Sequence, residues 1–266
     1  MSTRSGKNTI LITGATDGIG IEFSRLYAGL KYNIIATGRN EGKLSSLKTE
    51  LENKNRITVN TFAADLSKPE EIFKLKDYID SMETKIDILI NNAGSGVLGE
   101  FAETDLQKEL SMISVNITAL TVITKAVLKK MLINGEGKIL NIASTAAFKP
   151  GPMMAVYYAT KAYVLSFSQA IACENRGSGI SITVLCPGPV NTKLLKESAD
   201  IELRHAEYDK MADPKDIALS GMKALDKNNL VYIPGIRNKF NAMIVKIIPS
   251  KLLSDILYKS KKIFSE

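Results

Sequence analysis

The 266-residue chain has no tryptophan, a single histidine and two cysteines. With His205 alone, a His-rich metal site is excluded and a histidine-based catalytic triad is disfavoured. Cys173 and Cys186 stand in no metal-type spacing, so no metal is expected. Each reads as a small buried residue of a reduced chain rather than as a nucleophile. Low-complexity tracts are missing, and a composition of 45% hydrophobic and 24% charged residues excludes the disordered and collagen-like classes. The stretch before the first glycine turn, MSTRSGKNTILITG, has too short an apolar run for a signal-peptide core or a membrane span. A cytoplasmic location is the resulting expectation.

Charge is what the chain has in excess, at a formal +7. Between Ile236 and Glu266, Arg237, Lys239, Lys246, Lys251, Lys259, Lys261 and Lys262 stand against Asp255 and Glu266, a local balance of +5. Most of the basicity thus belongs to a tail, and nucleic acid is not an expected partner. The tail alternates apolar and lysine positions with helical character, broken at Pro249. A basic amphipathic helix can rest on an acidic membrane or on a protein surface. Packing over the substrate pocket or in an oligomer is the favoured expectation, since such helices usually bury their apolar face. The domain reading is one unit over 1–235 and a C-terminal extension over 236–266.

Short β-branched runs alternate with stretches of helical period. Strands are predicted near Thr9–Thr13, Asn33–Thr37, Ile57–Phe62, Ile86–Asn91, Lys138–Ala143, Ser181–Cys186 and Leu230–Ile233. Ser67-Lys-Pro-Glu70 reads as a capping box, and Asp213-Pro214 as a second helix start. Apolar strands separated by helices predict an α/β fold with a parallel sheet covered on both faces, which binds ligands beyond its carboxyl strand ends.

Chemistry-bearing residues fall at those ends. After the first strand, Gly14, Gly18 and Gly20 form a G-x-x-x-G-x-G turn that lets a backbone approach a pyrophosphate at a helix N-terminus. Glycines are also common in plain strand-to-helix turns. After the second strand, Gly38 stands where an NAD-binding fold usually carries a ribose-binding carboxylate, and Arg39 follows. A guanidinium can hold a 2′-phosphate bidentately, which favours NADP(H); otherwise Arg39 is a solvated turn residue. Asp65 can accept from an adenine amino group, and Asn91-Asn92-Ala93-Gly94 would allow close cofactor contact. In VYYATK, Tyr157 lies four residues before Lys161 and Tyr158 three before it, so on a helix either ring can share a face with the ammonium.

TGATDGIG, NNAG, Asn116 in SVNITAL, Ser144 in ILNIAS, YYATK and PGPVNT at 187–192 together resemble the short-chain dehydrogenase/reductase family, from about residue 8 to residue 235. The resemblance implies a Rossmann-like, doubly wound, seven-stranded parallel sheet. Its Tyr-x-x-x-Lys motif selects Tyr157 as the acid/base and leaves Tyr158 a packing or interface residue. Lys161 would bind the nicotinamide ribose, Ser144 would donate to the substrate oxygen, and Asn116 would hold a water linking Lys161 to solvent. Read plainly, Ser144 is a loop hydroxyl and Asn116 a helix-kink residue. Cofactor contacts would include Gly14, Thr16, Asp17, Gly18, Ile19, Gly20, Arg39, Asp65, Leu66, Asn92, Ala93, Gly94, Pro187, Gly188, Val190 and Thr192. A homodimer or homotetramer is also implied.

Ketone reduction needs a hydride donor, a group that polarises the carbonyl and a proton source. A free tyrosine titrates near 10, so exchange at neutral pH calls for a lowering of up to ~3 units, roughly 4 kcal/mol. A neighbouring ammonium and an oxidised nicotinamide both favour phenolate. The substrate pocket is expected from Phe148, Met153 and Met154, and from Leu194, Leu195 and Ile201. With no arginine cluster there, the expected substrate is a lipophilic ketone or secondary alcohol. The resemblance points to hydroxysteroid dehydrogenases, with 3-oxoacyl and general carbonyl reductases as the alternative. A non-catalytic NADP-binding sensor is a remote one.

Overall fold

The β-branched runs form seven strands: β1 (Thr9–Thr13), β2 (Asn33–Gly38), β3 (Val59–Ala63), β4 (Ile88–Asn91), β5 (Gly137–Ile142), β6 (Ile180–Leu185) and β7 (Val231–Tyr232). A computed structural model describes residues 7–192 and 211–245, together with 248, 253–255 and 258. All strands are parallel, in the order β3-β2-β1-β4-β5-β6-β7. The chain leaves β1 in one direction through β2 and β3, then returns to β4 on its other side. This reversal opens a crevice at the carboxyl ends of β1 and β4.

Alternate residues of the central strands go to opposite faces, and both faces are covered. Ile10 and Ile12 of β1 pack with Phe23 and Tyr27 of α1 (Gly18–Gly29), Leu44 of α2 (Glu41–Asn55) and Ile217 of α7 (Pro214–Asp226). Leu11, between them, packs with Ile72 and Leu75 of α3 (Pro69–Ser81), Ile123 of α5 (Leu120–Asn134) and Ile171 of α6 (Ala155–Glu174). Each such Ile or Leu contributes about 1.5–3 kcal/mol by leaving water. The doubly wound sheet is therefore specified by apolar residues at both parities, as expected of parallel strands.

Two start signals turn out differently. Asp213 caps α7, accepting from the Lys215 amide at 2.7 Å, with Pro214 in the first turn. Ser67 does not form the expected capping box. Its hydroxyl donates to Asp65 at 2.7 Å, and α3 begins after Lys68 with no side-chain cap. The nearer Asp65 carboxylate takes that hydroxyl and also the Ser67 amide (3.1 Å), which a capping box would give to Glu70. Cys173 is also corrected: it lies on the exposed side of α6, whereas Cys186 is buried. Past β7, α8 (Ile236–Ile244) is the first element of the predicted extension.

Candidate active site

At the crevice, β1 and β4 are stitched together by the residues that follow them. The Asn92 side chain donates to the carbonyls of Thr13 (3.1 Å) and Gly14 (3.0 Å). The amides of Asn92 and Ala93 both donate to the Thr13 hydroxyl at 3.0 Å. Asn92 thus holds the glycine turn in place. Gly18 takes the left-handed conformation (φ +52°), which favours glycine. At Gly20 a Cβ would lie 2.0 Å from the Gly14 carbonyl oxygen, so a side chain there would force turn and helix apart. Asp17 caps α1, accepting from the Gly18 amide at 2.9 Å, and pairs with Lys43 at 2.9 Å.

The crevice widens into a cleft of about 1230 Å³. Drug-sized pockets run to ~300–1,000 Å³, so this one has room for more than one small molecule. One end is lined by Gly14, Thr16, Asp17, Gly18, Ile19, Gly38, Arg39, Asp65 and Leu66. Burial pushes the Asp65 carboxyl up, but hydrogen bonds from the Ser67 hydroxyl and amide outweigh it. With the charges of Lys68 and Arg39, they hold the group below its ordinary value. Asn92, Ala93, Gly94, Pro187, Gly188, Val190 and Thr192 also line the cleft. Val190 is anchored by a bridge to Ala212, and the Thr192 methyl sits where a Cβ on Gly18 would be 3.0 Å away. Gly20 does not line the cleft; its part is the close packing just described.

The continuous helix through α4 (Leu106–Ile113) and α5 is interrupted by a π-turn, Ser114–Ala119, a local widening often found at functional sites. It carries Asn116 inward. The Asn116 amide group donates to the Ser95 carbonyl and the Thr160 hydroxyl, both at 3.0 Å, while its oxygen accepts from the Ser95 amide at 2.9 Å. A Cβ on Gly94 would stand 3.4 Å from both the Asn116 oxygen and the Lys161 ammonium, so these three groups converge. Asn116 sits behind the cleft wall, and its side chain is committed to protein partners.

Ser144 follows β5 and caps a 3₁₀ turn, Thr145–Phe148, accepting from the Ala146 amide at 3.1 Å. It stands near enough to Tyr157 on α6 to favour that residue's phenolate form. Lys161, one turn on, is buried, donates to the Ile142 carbonyl at 3.1 Å and lies 5.7 Å from the Tyr157 ring centre. Tyr158 also lines the cleft, edge-on to Tyr157 at 6.0 Å, with its ring packed against Gly151. Ser144 acts on the Tyr157 phenol and not on that of Tyr158.

Without coenzyme the electrostatics run the other way. Burial pushes the Tyr157 phenol above its ordinary value, against the lowering effect of Ser144, and the adjacent lysine does not reverse this. Desolvation in turn brings Lys161 down to about 8. Burial also raises Cys186 to about 12, which suits an inert thiol.

The predicted substrate wall is found in part. Phe148 and Met154 line the cleft. Met153 does not: it takes a left-handed turn (φ +64°) and its carbonyl is held by the Gly99 amide at 2.8 Å. Leu194, Leu195 and Ile201 lie outside the described residues. Sequence reasoning missed Asn238, Asn241, Ala242 and Val245, which α8 and its last turn bring to the cleft. It also missed Thr13, Ser95 and Thr160. Hydroxyls and amides joined over such long separations leave no local signal.

A family model described as short chain dehydrogenase matches residues 8–202. The chain belongs to the short-chain dehydrogenase/reductase family. Mouse 17-beta-hydroxysteroid dehydrogenase type 3 is 35% identical over 196 residues, covering 73% of this chain and 63% of the mouse protein. Human very-long-chain 3-oxoacyl-CoA reductase is 28% identical over 252 residues, covering 92% of this chain and 74% of the human one. Among solved structures, a short-chain dehydrogenase from Sphingobium yanoikuyae in complex with NADPH superposes with a TM-score of 0.81 at 29% identity, covering 93% of this chain and 96% of that one. As a short-chain dehydrogenase/reductase the chain is an oxidoreductase of alcohol and ketone groups with a nicotinamide cofactor. Its cleft suits that group: the turn at Gly18 and Gly20 leaves no side chain between the α1 N-terminus and a phosphate.

Proposed function

We propose that the chain is an NADP(H)-dependent oxidoreductase that interconverts a ketone and a secondary alcohol on a lipophilic substrate, foremost a steroid or bile-acid-like hydroxyl. The observation that carries this reading is the convergence of Ser144, Tyr157 and Lys161 on one cleft that Phe148, Met154, Ala242 and Val245 make partly apolar. In the reductive direction Ser144 donates to the substrate oxygen and Tyr157 delivers the proton. Lys161 holds its ammonium beneath the ring, where its charge favours the phenolate left behind. The nicotinamide, when bound, supplies the hydride.

Coenzyme choice rests on the end of β2. Gly38 presents no carboxylate to repel a 2′-phosphate, and the exposed Arg39 lines the same end of the cleft. The likeness to the NADPH-bound dehydrogenase supports this choice. The second reading, 3-oxoacyl thioester reduction, is favoured by the nearly full-length likeness to the human 3-oxoacyl-CoA reductase. A sensor role would predict loss of the residues at 116, 144, 157 and 161, and all four are present. Self-association as a homodimer or homotetramer is part of the proposal, supported by exposed Leu106 and Leu110 on α4. Following NADPH consumption with keto-steroids, keto-bile acids, 3-oxoacyl thioesters and simple ketones tests the reading. Turnover of a bulky ketone upholds it; inertness toward every class, or equal use of NADH, contradicts it.

A further inference from the structure

Lys149 lies five residues after Ser144 and eight before Tyr157, on the turn that joins them. Its backbone is fixed as the cap of the Thr145–Phe148 turn. Its side chain lines the cleft beside Phe148, Met154 and Tyr158, and it is half-buried. Among the described residues the ammonium has no hydrogen-bond or ion-pair partner. Desolvation pulls its proton affinity below the ordinary lysine value, and no counter-charge opposes it. An ammonium withdrawn from water without a partner is unfavourable. Lys43, Lys48, Lys74 and Lys76, by contrast, each meet a carboxylate.

From this placement we propose that the substrate carries an anionic group, a carboxylate, sulfonate or phosphate, that Lys149 receives while the apolar body lies along Phe148 and Met154. The proposal rests on the reading of this cleft as a ketone/alcohol site and narrows its substrate to an anionic amphiphile. Asn241 of α8 adds a polar residue to the lining of the same cleft. The ammonium of Lys161 is separate, bound to the Ile142 carbonyl within the catalytic cluster.

The test compares matched pairs that differ in charge: a keto-bile acid with its methyl ester, and a 3-oxoacyl-coenzyme A with the same acyl group on neutral N-acetylcysteamine. Wild type, Lys149→Gln and Lys149→Arg are each assayed for kcat/KM. In parallel, binding of both members of each pair to the NADP-saturated protein is measured by calorimetry. Wild type should favour the anionic member of at least one pair by about tenfold, or ~1.4 kcal/mol. Lys149→Gln should remove that preference while leaving the neutral member and NADPH affinity unchanged, and Lys149→Arg should keep it. The pair that responds identifies the source of the anion. Equal binding of both members by wild type, a preference that survives in Lys149→Gln, or weakened NADPH binding in that variant overturns the proposal. Charge discrimination in binding without turnover would leave the anion site standing and fail the oxidoreductase reading; turnover without discrimination would do the reverse.

Discussion

At the coenzyme end of the cleft the contacts run from strand end to strand end, Asn92 to Thr13 and Gly14 and Ala93 to Thr13, with a further bridge from Val190 to Ala212. At the substrate end the wall is made of side chains on a turn and on α8, with Phe148, Lys149, Met154 and Asn241 facing the space. Hydrogen bonds between strand-end backbone and the Asn92 and Thr13 side chains tie the first end to the sheet itself, so its geometry follows closely from the fold. The second end follows from which side chains happen to stand on its connections. Cofactor class is therefore a property of the architecture, and substrate choice is a property of a few replaceable residues.

Substitutions can break this contrast. The largest effect is expected where the two ends meet. Tyr157→Phe removes the proton donor and should lower kcat by about 10²–10⁴-fold, with NADPH affinity unchanged; Tyr158→Phe should stay within about threefold. Steady-state rates with calorimetric NADPH binding check both, and loss of activity in Tyr158→Phe alone would reassign the donor. Gly20→Val comes next. Its side chain would meet the Gly14 carbonyl, where a Cβ already lies at 2.0 Å. NADPH affinity should fall by about 100-fold, or ~2.7 kcal/mol, together with the melting temperature, whereas Phe148→Leu should change substrate KM without moving NADPH affinity.

Arg39→Ala is smaller and sharper. Loss of a charge-assisted contact, about 1.5–3 kcal/mol, should weaken NADPH by roughly 10- to 150-fold and leave NADH unaffected. Equal weakening of both coenzymes would place the 2′-phosphate elsewhere. The last is a pH dependence, read in stability rather than in coenzyme binding. Folded Lys161 titrates near 8, against about 10.4 when unfolded. Between these values the unfolded chain binds more protons, so stability should rise with pH across that window. Denaturation of the cofactor-free protein at pH 7.5 and 9.5 should show wild type gaining relative to Lys161→Met. A parallel response of the two would contradict the burial of a strained ammonium.

Much of the coenzyme end is legible in the sequence because its rules are local. β1 runs over Thr9–Thr13 as predicted, and Gly14, Gly18 and Gly20 are placed by the spacing that a strand-to-helix turn requires. The other strands start or stop within two residues of expectation. The misses have physical causes. Asp65 rather than Glu70 accepts from the Ser67 amide, and it takes the Ser67 hydroxyl as well. Met153 was diverted into a left-handed turn, and Cys173 fell on the outer side of its helix. Thr13, Thr160 and Ser95 work through partners 21 to 80 residues away, which composition and period do not encode.

Burial keeps the Tyr157 phenol neutral in the cofactor-free protein, so the central claim is that its acidity arises with the bound coenzyme. The direct measurement is an ultraviolet difference titration of tyrosinate, wild type minus Tyr157→Phe, with and without saturating NADP⁺. The account predicts no Tyr157 phenolate below about pH 10 in the free protein and its appearance at lower pH in the complex. A phenolate already present near neutrality without coenzyme, or a titration that the coenzyme does not move, would contradict it.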